Sequence, residues 1–82
     1  MRILFKKSAE RELLSLEKPL AQRIFQKISS LKDNPLGGGS QKLEGGKGYR
    51  IRIGNYRVVY TVEKRTKTLF IVKIAHRREI YR

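Results

Sequence analysis

The sequence predicts an α+β fold in which an N-terminal strand and an antiparallel two-helix hairpin precede a C-terminal three-stranded antiparallel meander. The helices are expected to pack on one face of the sheet. Three observations lead to this prediction: a short apolar run opens the chain, apolar residues at helical spacing follow it, and alternating apolar and polar residues fill the last third. The 82 residues include no cysteine, so we expect a single domain over residues 1–82 without disulfides.

The N-terminal half is predicted to form one strand and two helices. Residues 2–6 are a short apolar run flanked by charge, which is typical of a strand. Ser8 is the predicted N-cap of a first helix over residues 8–17, and Pro19 suits the first turn of a second helix, because the N–H that proline lacks is not needed there. Asp33-Asn34-Pro35 is predicted to end the second helix. Its apolar stripe comprises Leu20, Ile24, Phe25, Ile28 and Leu31. The acidic residues of the first helix, interpreted as surface charges, are Glu10, Glu12 and Glu17.

The C-terminal half is predicted to begin with a loop and continue as strands. Residues 36–48 are rich in glycine and contain one apolar anchor, Leu43, which predicts a flexible surface loop. The GxxxxGK[ST] spacing of a nucleotide-binding loop is absent. Gly54-Asn55 fits a type II′ hairpin turn because glycine stands first. The predicted strands of the meander are Tyr49–Ile53, Tyr56–Val62 and Thr68–Ala75.

The charge of the chain indicates a polyanionic partner. Twenty lysines and arginines against seven acidic residues give a formal net charge of +13, which favours association with polyanions. Nucleic acid, an anionic membrane and an acidic protein all satisfy this condition. A membrane is disfavoured because no long basic amphipathic helix with aromatic residues on its apolar face is evident. No signal-peptide pattern opens the sequence, so the expected location is the cytoplasm.

The predicted turn fixes the register of the hairpin and therefore the two faces of its strands. Arg52 and Arg57 become direct cross-strand neighbours with Cβ atoms roughly 5 Å apart, where like charges are destabilising. One interpretation is that both guanidinium groups splay into water, where screening keeps the cost small. The other is that these two groups and Arg50 form an anion clamp. The apolar face comprises Tyr49, Ile51, Ile53, Tyr56, Val58 and Tyr60, and the other face carries Arg50, Arg52 and Arg57.

Two residues of the C-terminal segment have side chains suited to proton transfer. His76 is the only histidine, and it follows the last predicted strand among arginines, which would favour its neutral form as a general base. A structural role is the common alternative for a lone histidine. Tyr81 is equally compatible with base stacking, proton transfer or packing on the sheet. One histidine without cysteine cannot build a conventional zinc site, so neither a metal nor a cofactor is expected.

Two C-terminal motifs carry a resemblance to a known family. Tyr49–Tyr60 and Ile74–Tyr81, together with the loop Lys42–Gly45 and the order of the elements, resemble the RelE family of toxin–antitoxin systems. The resemblance implies a ribosome-dependent mRNA endoribonuclease that cuts without a metal through attack of the RNA 2′-hydroxyl, leaving a 2′,3′-cyclic phosphate. It also implies a cognate RelB-like antitoxin with an acidic or amphipathic segment, bound as a hetero-oligomer, and contact with the ribosome and mRNA.

The resemblance also assigns roles to individual residues. Arg57 would neutralise the phosphorane and Arg77 would assist the departing 5′-oxygen. Well-known members have lysines at positions 50 and 52, whereas arginine cannot deprotonate in a protein, so the base is expected to be His76, with Tyr81 as the second choice. The expected catalytic residues are Arg50, Arg52, Arg57, His76, Arg77 and Tyr81. The cations expected to bind RNA are Lys42, Lys47, Arg50, Arg52, Arg57, Lys73 and Arg78.

Two functions of other classes remain open at this point. The fold that the resemblance implies also includes ParE-type inhibitors of DNA gyrase, which lack the nuclease residues, so the fold alone does not decide the activity. A plain nucleic-acid-binding module would instead bind RNA with a steep salt dependence and cleave nothing.

Overall fold

The computed structural model describes residues 1–36, 39–46 and 48–76. In order along the chain, strand β1 (Arg2–Phe5) leads into helix α1 (Lys7–Leu14) and helix α2 (Lys18–Ser30), and four further strands follow: β2 (Gln41–Lys42), β3 (Tyr49–Ile53), β4 (Tyr56–Glu63) and β5 (Thr68–His76). Within the described residues, neither helix has the length and apolarity needed to cross a membrane.

The five strands form one mixed sheet in the order β1-β5-β4-β3-β2. The predicted antiparallel meander is confirmed as β3-β4-β5, and β1 joins it by pairing in parallel with β5. The helices lie on one face, where Ala9, Ile24 and Ile28 meet the apolar side of the sheet. Sheet residues buried in this core are Ile51, Ile53, Val58, Tyr60, Leu69, Ile71 and Ile74.

The first helix begins and ends earlier than the sequence predicts. Its N-cap is Lys6, which makes no side-chain cap, so the prediction of Ser8 as the N-cap is wrong. The reason is tertiary: the Lys6 N–H donates to the Ile71 carbonyl at 2.9 Å, and the Lys6 carbonyl accepts from Glu10 N–H at 2.9 Å. Strand β1 therefore passes directly into the helix at a point that its pairing with β5 sets.

Glu12 is not a plain surface charge, contrary to the sequence-based interpretation. Its Oε1 accepts a hydrogen bond at 3.2 Å from the backbone N–H of Ile74, a residue of β5 beyond the end of the β1 pairing. The Glu12 carboxylate thus provides an acceptor for the Ile74 N–H at a point where β5 has no β1 residue to pair with. Helix α1 is thereby tied to the central part of the sheet.

The second helix contains Pro19 in its first turn, as predicted. It ends at Ser30 with Leu31 as the C-cap, a few residues before the predicted stop at Asp33-Asn34-Pro35. Its stripe is buried at Ile24 and Ile28, whereas Phe25 is about half exposed. One residue along a helix corresponds to a rotation of roughly 100°, which carries Phe25 away from the sheet.

Two described residues of the glycine-rich segment form a strand within the region predicted to be a loop. Gln41 and Lys42 pair with Arg50 and Tyr49 as an edge strand, and a short 3-10 turn follows over Glu44–Gly46. Gly48 has φ = 110°, and a Cβ there would lie 2.5 Å from the Tyr60 carbonyl oxygen. Only glycine allows β4 to approach this closely, so this residue has a structural role that a flexible loop would not require.

The hairpin register is confirmed pair for pair. Arg52 lies opposite Arg57 and Ile51 opposite Val58, across a turn in which Gly54 has φ = 59°. A positive φ at the first turn position is what a type II′ turn requires. The faces follow: Tyr60 is fully buried among core residues, and its hydroxyl donates to the Pro35 carbonyl at 2.6 Å.

A β-bulge interrupts the pairing of β4 with β5. Val59 pairs with Lys73 and Tyr60 with Ile71, which leaves Val72 as the extra residue. The bulge reverses the alternation of β5, so that Ile71 and Ile74 both face the core.

Candidate functional site

The face of the sheet opposite the helices carries two adjacent cross-strand rows of residues. Directly paired residues share a face, and the pairing of β2 to β5 defines both rows. The first row is Gln41, Arg50, Val59 and Lys73. The second row is Arg52, Arg57 and Ala75. The three arginines predicted to share one face therefore do so, in neighbouring rows of the same sheet.

The three arginines also line one concavity, the arginine pocket. Its volume is about 310 Å³, and its lining comprises Gly39, Gln41, Arg50, Arg52 and Arg57. None of the described residues that line it is acidic, so the electrostatic field inside the pocket attracts anions. Arginine presents planar N–H donors that match a phosphate or a carboxylate in two-point contacts.

The arginines differ in exposure in a way that sequence alternation did not predict. Arg57 is only 4% exposed, although it lies on the face away from the helices, whereas Arg52 is exposed and Arg50 is intermediate. Burial of a cation is costly unless other groups compensate for the lost water. Because Arg57 is buried and Arg52 is exposed, Arg57 lies at the base of the pocket and Arg52 lies nearer its mouth. This arrangement suits an anion that enters from solvent.

Gln41 is a pocket residue that the sequence analysis missed. Its Oε1 accepts two hydrogen bonds from the Arg50 guanidinium, from Nε at 3.1 Å and from Nη2 at 2.8 Å. The sequence around position 41 is polar and rich in glycine, without the alternation that marks a strand. Only the pairing of β2 with β3 brings this amide beside Arg50.

His76 does not lie among the pocket arginines. It pairs with Tyr56, and the two rings meet edge to face with centroids 5.3 Å apart. Tyr56 packs against the core, so the register puts His76 on the helix-covered side of the sheet. The expectation that His76 stands beside the arginine cluster is corrected by this pairing. Ala75 is the β5 residue that faces Arg57.

The other cations predicted to bind RNA divide between the two faces. Lys73 is exposed and belongs to the row of Arg50, on the arginine face. Lys42 is also exposed but pairs with Tyr49, so it shares the opposite face. The predicted site residues that lie outside the described residues are Lys47, Arg77, Arg78 and Tyr81.

A family model for the ParE toxin of the type II toxin–antitoxin system, parDE, matches residues 3–81 of this sequence. The chain belongs to the ParE toxin family. The match spans nearly the whole sequence, including the three strands that contribute residues to the arginine pocket. The predicted membership of the RelE/ParE superfamily of toxins is thereby confirmed.

Solved toxin structures have the same fold. The chain is similar to the RelE–RelB complex of the archaeon Pyrococcus horikoshii OT3, with 32% identity, a TM-score of 0.80 and coverage of 93% of each chain. It is similar to the RelB–RelE complex of Methanococcus jannaschii, with 28% identity, a TM-score of 0.76 and coverage of 95% of this chain and 94% of that one. The isolated RelE toxin of E. coli matches with 24% identity, a TM-score of 0.82 and coverage of 98% and 89%, which shows a shared fold. No curated protein matches the sequence significantly.

Proposed function

We propose that this toxin is a ribosome-dependent mRNA endoribonuclease that acts in the cytoplasm and inhibits translation. The observation that carries the proposal is the convergence of Arg50, Arg52 and Arg57 on one concavity of about 310 Å³. Two of these arginines are direct cross-strand neighbours, so an anion bound between them would interact favourably with both charges. A scissile phosphodiester is such an anion.

The proposed reaction uses the RNA as its own nucleophile. The 2′-oxygen forms a bond to phosphorus while the bond from phosphorus to the 5′-oxygen breaks, giving a 2′,3′-cyclic phosphate and a 5′-hydroxyl. Negative charge builds on the non-bridging oxygens in the transition state. Arg57, fixed at the base of the pocket, and Arg52 near its mouth are assigned to stabilise that charge, because preorganised donors are most effective where charge develops.

Proton transfer requires groups other than the pocket arginines, since guanidinium does not deprotonate in proteins. A base must take the proton of the 2′-hydroxyl, and the departing 5′-oxygen must take a proton, which water supplies in this scheme. The contact of His76 with Tyr56 argues against His76 as the base, and we therefore favour Tyr81. Arg77 is assigned to charge stabilisation at the departing oxygen. Both assignments rest on the sequence motif.

The proposed partners follow from the charge and from the relatives. The net charge of +13 favours the polyanionic surface of a ribosome and its mRNA. Two of the similar structures are complexes of RelE with RelB. We therefore propose a hetero-oligomer with a cognate antitoxin whose acidic or amphipathic segment covers the arginine pocket.

The test is cleavage of a defined mRNA on programmed ribosomes, with the new 5′ ends mapped by primer extension. Arg52→Gln is expected to lower the rate about 100-fold because it removes a charge-stabilising donor. Arg52 is exposed, so this variant is expected to fold. The matched control is Arg65→Gln, which removes the same charge from the exposed turn between β4 and β5 and should cleave normally. A 2′-deoxy nucleotide at the scissile position should abolish cleavage.

A second candidate function is inhibition of DNA gyrase, which the match to the ParE family model favours. It predicts that the purified toxin blocks supercoiling by gyrase in vitro and leaves ribosome-bound mRNA intact. Cleavage of a message whose scissile nucleotide lacks the 2′-hydroxyl would also contradict the proposed chemistry. Inhibition of gyrase with intact mRNA would replace the nuclease proposal, whereas cleavage of the 2′-deoxy message would replace only its proposed chemistry.

A further inference from the structure

Gln41 is the only neutral side chain with a polar head among the described residues that line the arginine pocket. Its amide oxygen accepts from both Nε and Nη2 of Arg50, at 3.1 and 2.8 Å. Two donors of one guanidinium thus meet the same oxygen. Two hydrogen bonds to this oxygen restrict the orientation of the guanidinium more than a single hydrogen bond would.

The pairing of β2 with β3 places the two side chains next to each other. Gln41 of β2 is the direct pairing partner of Arg50 of β3, so their Cβ atoms project from the same face of the sheet. Strand β2 has only two residues and lies at the sheet edge. The position of β2 at this edge places the Gln41 amide beside Arg50.

The neutrality of the amide matters for the electrostatics of the pocket. A carboxylate at position 41 would form an ion pair with Arg50 and cancel the attraction of that guanidinium for an anionic ligand. The glutamine amide orients the guanidinium and leaves its charge intact. Orientation of a charged donor before the ligand arrives is the condition under which it contributes most to the transition state.

We propose that Gln41 is a positioning residue of the arginine pocket, which acts on the phosphodiester through Arg50. The inference rests on the proposed nuclease function. Gln41 needs no contact with the RNA: it holds the Arg50 guanidinium in the orientation that faces the scissile phosphate. Its loss therefore removes these two hydrogen bonds and leaves Arg50 present and charged.

The first test is a double-mutant cycle in single-turnover cleavage on programmed ribosomes. Gln41→Met keeps the length of the side chain and removes the acceptor. We expect the cleavage rate constant at saturating toxin to fall about 10- to 100-fold, with the half-saturating toxin concentration changed less than about threefold. In an Arg50→Ala background, Gln41→Met should cause no further loss. Gln22→Met, the same substitution at an exposed position of α2, is the matched control and should cleave normally.

Two outcomes of this cycle would overturn the proposal. One is an undiminished effect of Gln41→Met in the Arg50→Ala background, because Gln41 would then act independently of Arg50. The other is wild-type cleavage by Gln41→Met, because the two hydrogen bonds would then have no consequence for the reaction.

A second measurement separates this inference from the nuclease proposal. The Nε–H resonance of Arg50 in the free toxin should shift, and its exchange with water should accelerate at least about tenfold, in Gln41→Met but not in Gln22→Met. Inorganic phosphate should bind Gln41→Met about threefold or more weakly than wild type. If the wild type cleaves no mRNA, the nuclease proposal fails, and an unchanged Arg50 resonance with unchanged phosphate affinity would overturn the positioning role as well.

Discussion

The two faces of the β3–β4 hairpin consist of alternate residues of the same strands, yet one face is buried beneath the helices and the other carries the arginines. Ile51 and Val58, one directly paired couple, are 1% and 0% exposed beneath the helices. The next couple along, Arg52 and Arg57, sets two positive charges opposite each other on the other face. Burial of the first pair stabilises the fold, whereas like charges placed directly opposite each other, as in the second pair, do not favour pairing. The proposed function assigns this second pair to binding of an anion.

The largest expected effect on the helix-covered face comes from Ile51→Ala. Removing a fully buried isoleucine should lower the free energy of unfolding by about 4 kcal/mol, measured by denaturant titration. Arg52→Ala, one residue along, should change it by less than about 0.5 kcal/mol. Equal losses from both variants would show that the two faces do not differ in their contribution to stability.

The next effect concerns proton transfer and tests which residue acts as the base. Tyr81→Phe should slow cleavage about 100-fold, because it removes a group able to take the proton. His76→Gln should change the rate by less than about threefold, since His76 contacts Tyr56 on the helix-covered side. Rates on programmed ribosomes, with circular dichroism as the control for folding, decide between them. A larger loss from His76→Gln would return the role of base to the histidine.

A smaller effect is expected where α1 meets the sheet. Glu12→Ala leaves the Ile74 N–H without its carboxylate partner and should lower stability by about 1.5 kcal/mol. Amide hydrogen exchange at Ile74 should accelerate in the same variant. Glu10→Ala, at an exposed position of the same helix, is the matched control. Similar stability of the two variants would restore the interpretation of Glu12 as a surface charge.

The hydroxyl of Tyr60 provides a pH test of the buried face. Burial raises the pKa of this hydroxyl above its ordinary value of 10.0. The folded chain therefore retains the proton at a pH where the unfolded chain releases it, and this contribution to stability is complete below about pH 10 and falls as the pH rises through the folded-state pKa. At pH 7, Tyr60→Phe should be less stable than wild type by about 1 kcal/mol through loss of the bond to Pro35. The difference should shrink above pH 10, and a constant difference in denaturant titrations would contradict the assignment.

The smallest effect is a gain in stability on the arginine face. Arg52→Thr removes the like charge opposite Arg57 and should raise the free energy of unfolding by about 0.5 kcal/mol at low salt. The gain should shrink in 1 M salt, where the exposed charge of Arg52 is screened. Arg65→Thr lowers the net charge equally and is the control. A gain of the same size from Arg65→Thr would trace the effect to net charge instead of the pair.

Much of the arginine pocket could be predicted from residues 49–60 alone. Gly54-Asn55 fixes a two-residue turn, and once the turn is fixed, the alternation of side chains assigns every residue of the hairpin to a face. These are local rules with a period of two, and they hold regardless of the rest of the chain. The burial of Arg57 does not follow from them, because burial depends on what lies beside a residue in space.

Three features depended on contacts that are distant in sequence. The hydrogen bond from the Lys6 N–H to the Ile71 carbonyl sets the N-cap of α1. The hydrogen bond from the Ile74 N–H determines the role of Glu12. The pairing of β2 with β3 determines the position of Gln41. No local sequence pattern at Lys6, Glu12 or Gln41 predicts these partners. A polar segment between glycines resembles a loop until a neighbouring strand supplies its hydrogen bonds.

By itself, the sequence determined the order of β1, the two helices and the β3-β4-β5 meander, the hairpin register and the face that carries Arg50, Arg52 and Arg57, because turn chemistry and alternation act between near neighbours. Only the tertiary structure decided the face of His76. Uninterrupted alternation from Leu69 and Ile71 would put His76 on the arginine face, but the bulge at Val72 reverses the remainder of β5. That bulge allows both Ile71 and Ile74 to reach the core. The burial of apolar side chains from distant elements thus outweighed the local period of the strand.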